Sequence, residues 1–212
     1  MSSKFKVLYL PLRVSLEEAR KNLTPPAFYK VKKYIFERLH SFRGVGNYYT
    51  SNKIPKYEIV GWPIFAVSHF VSSGESNSAH LFISVDPWST TTSLFERMKD
   101  TEESNSVNYD ILIRIPEDVN EETIVETSKN KFFLLMMRQR KLRMASLSIQ
   151  SRIHSIVYTP IWVCYYARTA NALDVRLLDG YSGEKLGAQF RSAFLNALTN
   201  LKSNNTSESN LK

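Results

Sequence analysis

The chain holds one cysteine, Cys164, four histidines and seven glycines in 212 residues, and each scarcity excludes some chemistry. A single thiol cannot close an intramolecular disulfide or build a cysteine-based zinc ribbon. The glycines spell no GxxxxGK(S/T). Gly44-Val45-Gly46 lacks the third glycine and the preceding strand of a dinucleotide fingerprint, so no nucleotide cofactor is expected. His40, His69, His80 and His154 form no HxH, HxxxH or HExxH pair. His69 and His80 could face each other across a hairpin, but two imidazoles without a nearby carboxylate make a poor site, and no metal is expected. There is no GxSxG elbow, and Ser182 to Lys185 matches Ser-x-x-Lys only within a turn. Cys164 sits in an apolar strand and reads as a buried, inert thiol. With no catalytic constellation, the expectation is a non-enzymatic protein.

Long apolar runs are missing too. Those at 132–137 and 156–167 fall short of the roughly 18 residues of a spanning helix. The N-terminal apolar run is broken by Pro11 and Arg13 and has no small-residue cleavage site after it. No transmembrane segment and a cytoplasmic location are the expectation.

What the chain does have is 43% hydrophobic and 12% aromatic residues against 23% charged, the composition of a packed protein. The order of its segments suggests a duplication. Residues 6–14 read as a strand and Ser15 to Glu18 as a capped helix start. Helical spacing follows through Phe28, Val31, Tyr34, Ile35, Leu39 and Phe42. The β-branched and aromatic runs 57–71 and 80–85 then make a hairpin. Strand 109–115, a helix start at 116–122, a long helical stretch from Thr123 to about Ile149, strand 156–167 and strand 173–178 repeat that order. Pro63 and Pro160 match at an offset of 97, and Asp86 and Asp179 at 93. The predicted fold class is α+β: a tandem duplication of a strand-helix-strand-strand unit, with mainly antiparallel sheet and the long helices packed on one face. The units span 5–98 and 107–202, each trailed by a short helix (93–98 and 188–201). A polar linker at 99–106 joins them as a mobile connection, and the polar tail 203–212 is expected to be disordered.

Charge is segregated. Residues 1–100 carry 14 basic and 8 acidic side chains, 101–128 one and eight, and 129–212 thirteen and four. The densest cluster is Arg138, Arg140, Lys141 and Arg143 in the second helix, with Lys30, Lys32 and Lys33 in the first. A fat apolar stripe (Phe133, Met136, Met137, Met144, Leu147) runs beside the cluster. These helices are the candidate surface for a polyanion, foremost nucleic acid.

Two other readings use other residues. Trp62, Phe65, Tyr158, Trp162 and Tyr165 could line an aromatic pocket between the repeats for a small molecule or peptide, or stack on bases. Pro63 and Pro160 inside strands suggest edges or bulges, which would open those strands to a protein partner or to oligomers. Asp86 and Asp179, each closing a hairpin, are either turn caps or a paired acid/base dyad.

Overall fold

The two stretches richest in β-branched and aromatic residues become the two longest strands, and they pair with each other. The computed structural model describes residues 5–24, 55–73, 77–138, 148–169 and 172–209. Its strands are β1 (Lys6–Tyr9), β2 (Lys56–Ser73), β3 (Asn77–Val85), β4 (Thr92–Leu94), β5 (Ile111–Leu112), β6 (Ser148–Thr169) and β7 (Ala172–Asp179). Its helices are α1 (Leu16–Asn22), α2 (Glu121–Arg138) and α3 (Ala188–Ser209), with a 3₁₀ turn at Glu96–Asp100. The result is a mixed α/β fold built on one seven-stranded, mostly antiparallel sheet, ordered β1-β6-β2-β3-β4 with β5 beside β2 and β7 beside β6.

The spine of the sheet is the β2–β6 pair, in register from Lys56↔Tyr165 to Ser72↔Ser148 with one bulge near Ala66. Pro63 and Pro160 are central in it, not at edges. The Pro160 carbonyl accepts from Gly180 and the Tyr158 carbonyl, opposite Pro63, accepts from Leu10. Each proline nitrogen therefore points away from the partner long strand. It falls where the second neighbour changes, from β5 to β3 along β2 and from β1 to β7 along β6. A missing N–H costs least at such a gap.

Alternation along β2 divides the core. Ile59, Phe65, Val67, His69 and Val71 face α1 and α2. Val60, Trp62, Ile64, Ala66, Ser68 and Phe70 face the other way, towards α3 over part of their length. Helix α1 begins with the predicted capping box: Ser15 Oγ accepts from the Glu18 N–H at 3.3 Å, and Glu18 accepts from the Ser15 N–H at 2.9 Å. Asn120 caps α2 by accepting from the Glu122 N–H. From there Ile124, Ser128, Phe132 and Met136, spaced by four, form its buried stripe over Val71, Ile83 and Val85. On the opposite face Ala193, Phe194 and Ala197 of α3 cover Val60, Trp62, Ile161, Val163, Val175 and Leu177.

Several sequence expectations change. The second long helix, expected to run to about Ile149, is described as far as Arg138, and Ser148 and Ile149 already belong to strand β6. The alternation in Ser148-Ile149-Gln150-Ser151-Arg152-Ile153 matches the distal half of β2, and that partner decides its structure. The first long helix of the prediction, 28–42, lies outside the described residues. A short helix at 93–98 is instead β4 and the 3₁₀ turn, while α3 continues to Ser209, past the predicted start of the tail. The linker is pinned rather than free: Glu102 pairs with Tyr9 by two backbone hydrogen bonds of 2.8 Å, and Val107 is buried beneath α1.

Candidate nucleic-acid interface

The predicted basic cluster is only partly in view. Arg138 is exposed at the end of α2, and Arg140, Lys141, Arg143, Lys30, Lys32 and Lys33 lie outside the described residues. The five pocket aromatics are core residues split between the two faces. Trp62 and Tyr165 belong under α3, with Trp62 fully buried against Phe190 and Phe194. Phe65 and Tyr158 pack near α2. Trp162 lies near α1, where its indole N–H donates to the Val14 carbonyl at 2.9 Å. They do not converge on one cavity.

His69 and His80 do not face each other, because they sit one residue out of register (His69↔Leu81, Phe70↔His80) and so on opposite faces. His69 is fully buried, its Nε2 2.7 Å from Ser128 Oγ on α2, its Nδ1 2.9 Å from Ser151 Oγ on β6, and its ring stacked on Phe132. Burial, with Lys129 nearby, lowers its pKa to about 4. Asp86 and Asp179 are turn caps: each accepts from the backbone N–H two and three residues on, and Asp179 also holds Arg97 at 2.6 Å. Burial pushes the Cys164 thiol up. Among the described residues no three metal-ligating side chains cluster, and no helix is long and apolar enough to cross a membrane.

What the fold brings together is a surface that sequence reading missed. Along the distal half of the sheet, on the face turned away from α2, no described helix covers the strands. Register places Phe70, His80 and Gln150 in one row, and Ser68, Phe82 and Arg152 in the next. Lys6 of β1 stands beside Ser155 on the same face. His154 is the extra residue of the β6 bulge, and its ring meets the edge of Phe82 at 5.2 Å, while His80 lies against Phe82 at 4.6 Å. Ser68 Oγ is 2.8 Å from His80 Nε2 and fixes that ring. Phe70 is 42% exposed, and Lys6, His80, Gln150 and Arg152 are exposed as well.

Burial, and then the positive charge of Arg152, the neighbouring His80 ring and the positive charge of Lys6, hold the His154 pKa below the ordinary histidine value. Lys6 carries a surface ion pair with Glu103, both side chains more than half exposed, an arrangement that contributes little and exchanges readily for another anion. At the β6 edge Arg152 also lines an open groove of about 550 Å3 with Glu121, Glu122, Glu126 and Lys129 of α2, so this cation is shared between the open face and a mixed, partly acidic lining.

The sequence signal for the open surface was the alternation in Ser68-His69-Phe70 and His80-Leu81-Phe82. Which member of each alternate set meets α2 depends on register, and only the fold supplies it. Compared with protein-family models, with curated proteins and with solved structures, the chain matches none.

Proposed function

We propose that this is a non-enzymatic binding protein that holds single-stranded nucleic acid on the open half of its sheet. The observation that carries the reading is the combination of exposed Phe70 and half-buried Phe82 with His80, His154, Arg152 and Lys6 on a β surface that no described helix covers. Exposed rings on strands stack on unpaired bases, and neighbouring cations neutralise the backbone between them. Phe70 and Phe82 are diagonal neighbours on adjacent strands, about 7 Å apart in an antiparallel pair, which is within the reach of successive unstacked bases. The basic run Arg138, Arg140, Lys141 and Arg143, close before β6 in sequence, supplies further phosphate contacts in this reading.

A tandem duplication underlies the reading, and several matched details support it. Phe65↔Val85 in β2–β3 corresponds to Trp162↔Leu178 in β6–β7, and the bridge Val85↔Thr92 corresponds to Leu178↔Lys185. The turns after Asp86 and Asp179 share their caps, and Thr90 (φ 54°) and Gly183 (φ 77°) both take the left-handed conformation at the equivalent place. Each unit lends its first strand to the other: β1 pairs with β6 through Tyr9↔Tyr158, and β5 with β2 through Leu112↔Gly61. A pseudo-two-fold axis then passes through the Trp62↔Thr159 pair.

Within that symmetry the halves have diverged. The equivalent of Phe82 is Val175, and the face around Val175 is apolar and covered by α3. The open half presents Ser68, His80, Gln150 and Arg152 instead, which an apolar helix would bury at a cost and a phosphate backbone would not. The test is fluorescence anisotropy with a labelled oligouridylate at low and high salt. Phosphate-led binding weakens steeply with salt, and Phe70→Ala should lower affinity by about tenfold, within the ~1–3 kcal/mol reported for removing one stacking ring. Binding indifferent to salt and to Phe70→Ala would overturn the proposal.

A further inference from the structure

We infer that anion binding on the open sheet face is coupled to the uptake of one proton by His154, so that affinity rises as the solution becomes more acidic. The inference rests on the single-strand reading and assigns a regulation to the same site.

The geometry places His154 between Phe82 and basic side chains. Its ring sits at the bulge of β6, against the edge of Phe82 from β3. The groups facing it from each neighbouring strand are Arg152 on β6, His80 on β3 and Lys6 on β1. The carboxylates at the margin are Glu103, paired with Lys6, and Glu121, Glu122 and Glu126 of α2, which share a groove with Arg152 at the β6 edge. Ser68 Oγ, 2.8 Å from His80 Nε2, orients that ring on the same face. Without a ligand, burial and the positive charges of Arg152 and Lys6 favour the neutral imidazole. A phosphate placed over Lys6, Arg152 and the two rings reverses the local potential and makes the imidazolium the stable form. The proton comes from solvent, no covalent bond is made or broken, and by linkage the phosphate binds more tightly wherever His154 must be charged to receive it. His69, behind the sheet, does not confuse the reading, since it stays neutral down to about pH 4.

The experiment measures the affinity of the full chain for a labelled oligouridylate at constant ionic strength, from about pH 7.5 down to about pH 5.5. One coupled proton tightens binding by up to about tenfold per pH unit. The wild type should therefore tighten by at least several-fold between the two pH values, whereas His154→Gln, whatever its affinity at the upper pH, should show no such rise. Salt-sensitive binding that is flat with pH in the wild type, or a rise kept in full by His154→Gln, would overturn the inference and leave the single-strand reading standing. Absence of binding at every pH would overturn both. If His154→Gln does not fold, NMR titration of the wild-type imidazole signals decides: the His154 midpoint must move upward when the oligouridylate is added, and an unmoved midpoint overturns the coupling.

Discussion

Acidification should loosen α2 from the sheet through His69. The ring is fully buried, and both nitrogens are committed to the hydroxyls of Ser128 and Ser151. The unfolded chain protonates this imidazole below 6.5, while the folded chain resists until about 4. In that window the unfolded state binds more protons, so the stability contribution is complete above 6.5 and is lost as pH falls towards 4. At about pH 4.5 the loss from this group alone works out at about 2.5 kcal/mol. The assay is urea unfolding followed by tryptophan fluorescence at about pH 7.5 and about pH 4.5, comparing the wild type with His69→Gln. The variant is less stable at neutral pH, because one serine loses its partner, but its stability should fall by about 2.5 kcal/mol less across the window. Parallel losses in both proteins would refute the argument, since every other titrating group is common to the two.

Other consequences are simpler to read. Phe132 fills the centre of the α2 interface at 0% exposure, so Phe132→Ala should cost about 3–5 kcal/mol in urea unfolding. Gly61 pairs with Leu112 where β5 runs parallel to β2, and an added Cβ would meet the tip of the Leu112 side chain, which is 43% exposed and free to shift; Gly61→Ala should cost no more than about 1 kcal/mol in urea unfolding. Cys164, buried with its thiol pKa raised, should react with a thiol reagent only after denaturant is added. Replacing Arg140, Lys141 and Arg143 together by Ala should reduce the slope of log affinity against log salt by up to about 2 on an oligouridylate, with no loss of base stacking.

The elements that local chemistry dictates were legible in the sequence. Ser15 and Glu18 announce a helix start, the β-branched runs announce both hairpins, and Asp86 and Asp179 announce their turns; all stand where sequence placed them. What failed depended on partners far along the chain. Residues 148–153 are strand because the far half of β2 offers them a register. Pro63 and Pro160 are central because each lies where the neighbouring strand changes, a condition that neither proline's sequence environment reveals. Trp62 and Trp162, the most conspicuous aromatics, are core residues for the same reason that Phe70 is exposed: alternation and helix placement together sort them. The candidate surface was therefore out of reach of spacing alone, since His80, Phe82, Arg152 and His154 come from two strands and are more than 60 positions apart in sequence at the wide end.

The most direct test of the central claim is photo-crosslinking of an oligouridylate to the intact protein, followed by mapping of the modified peptides. The open-sheet account predicts crosslinks on Phe70 and Phe82 and in the segment 150–154, each competed by unlabelled single strand. Crosslinks confined to α2 or α3, with β2, β3 and β6 unmodified, would contradict it.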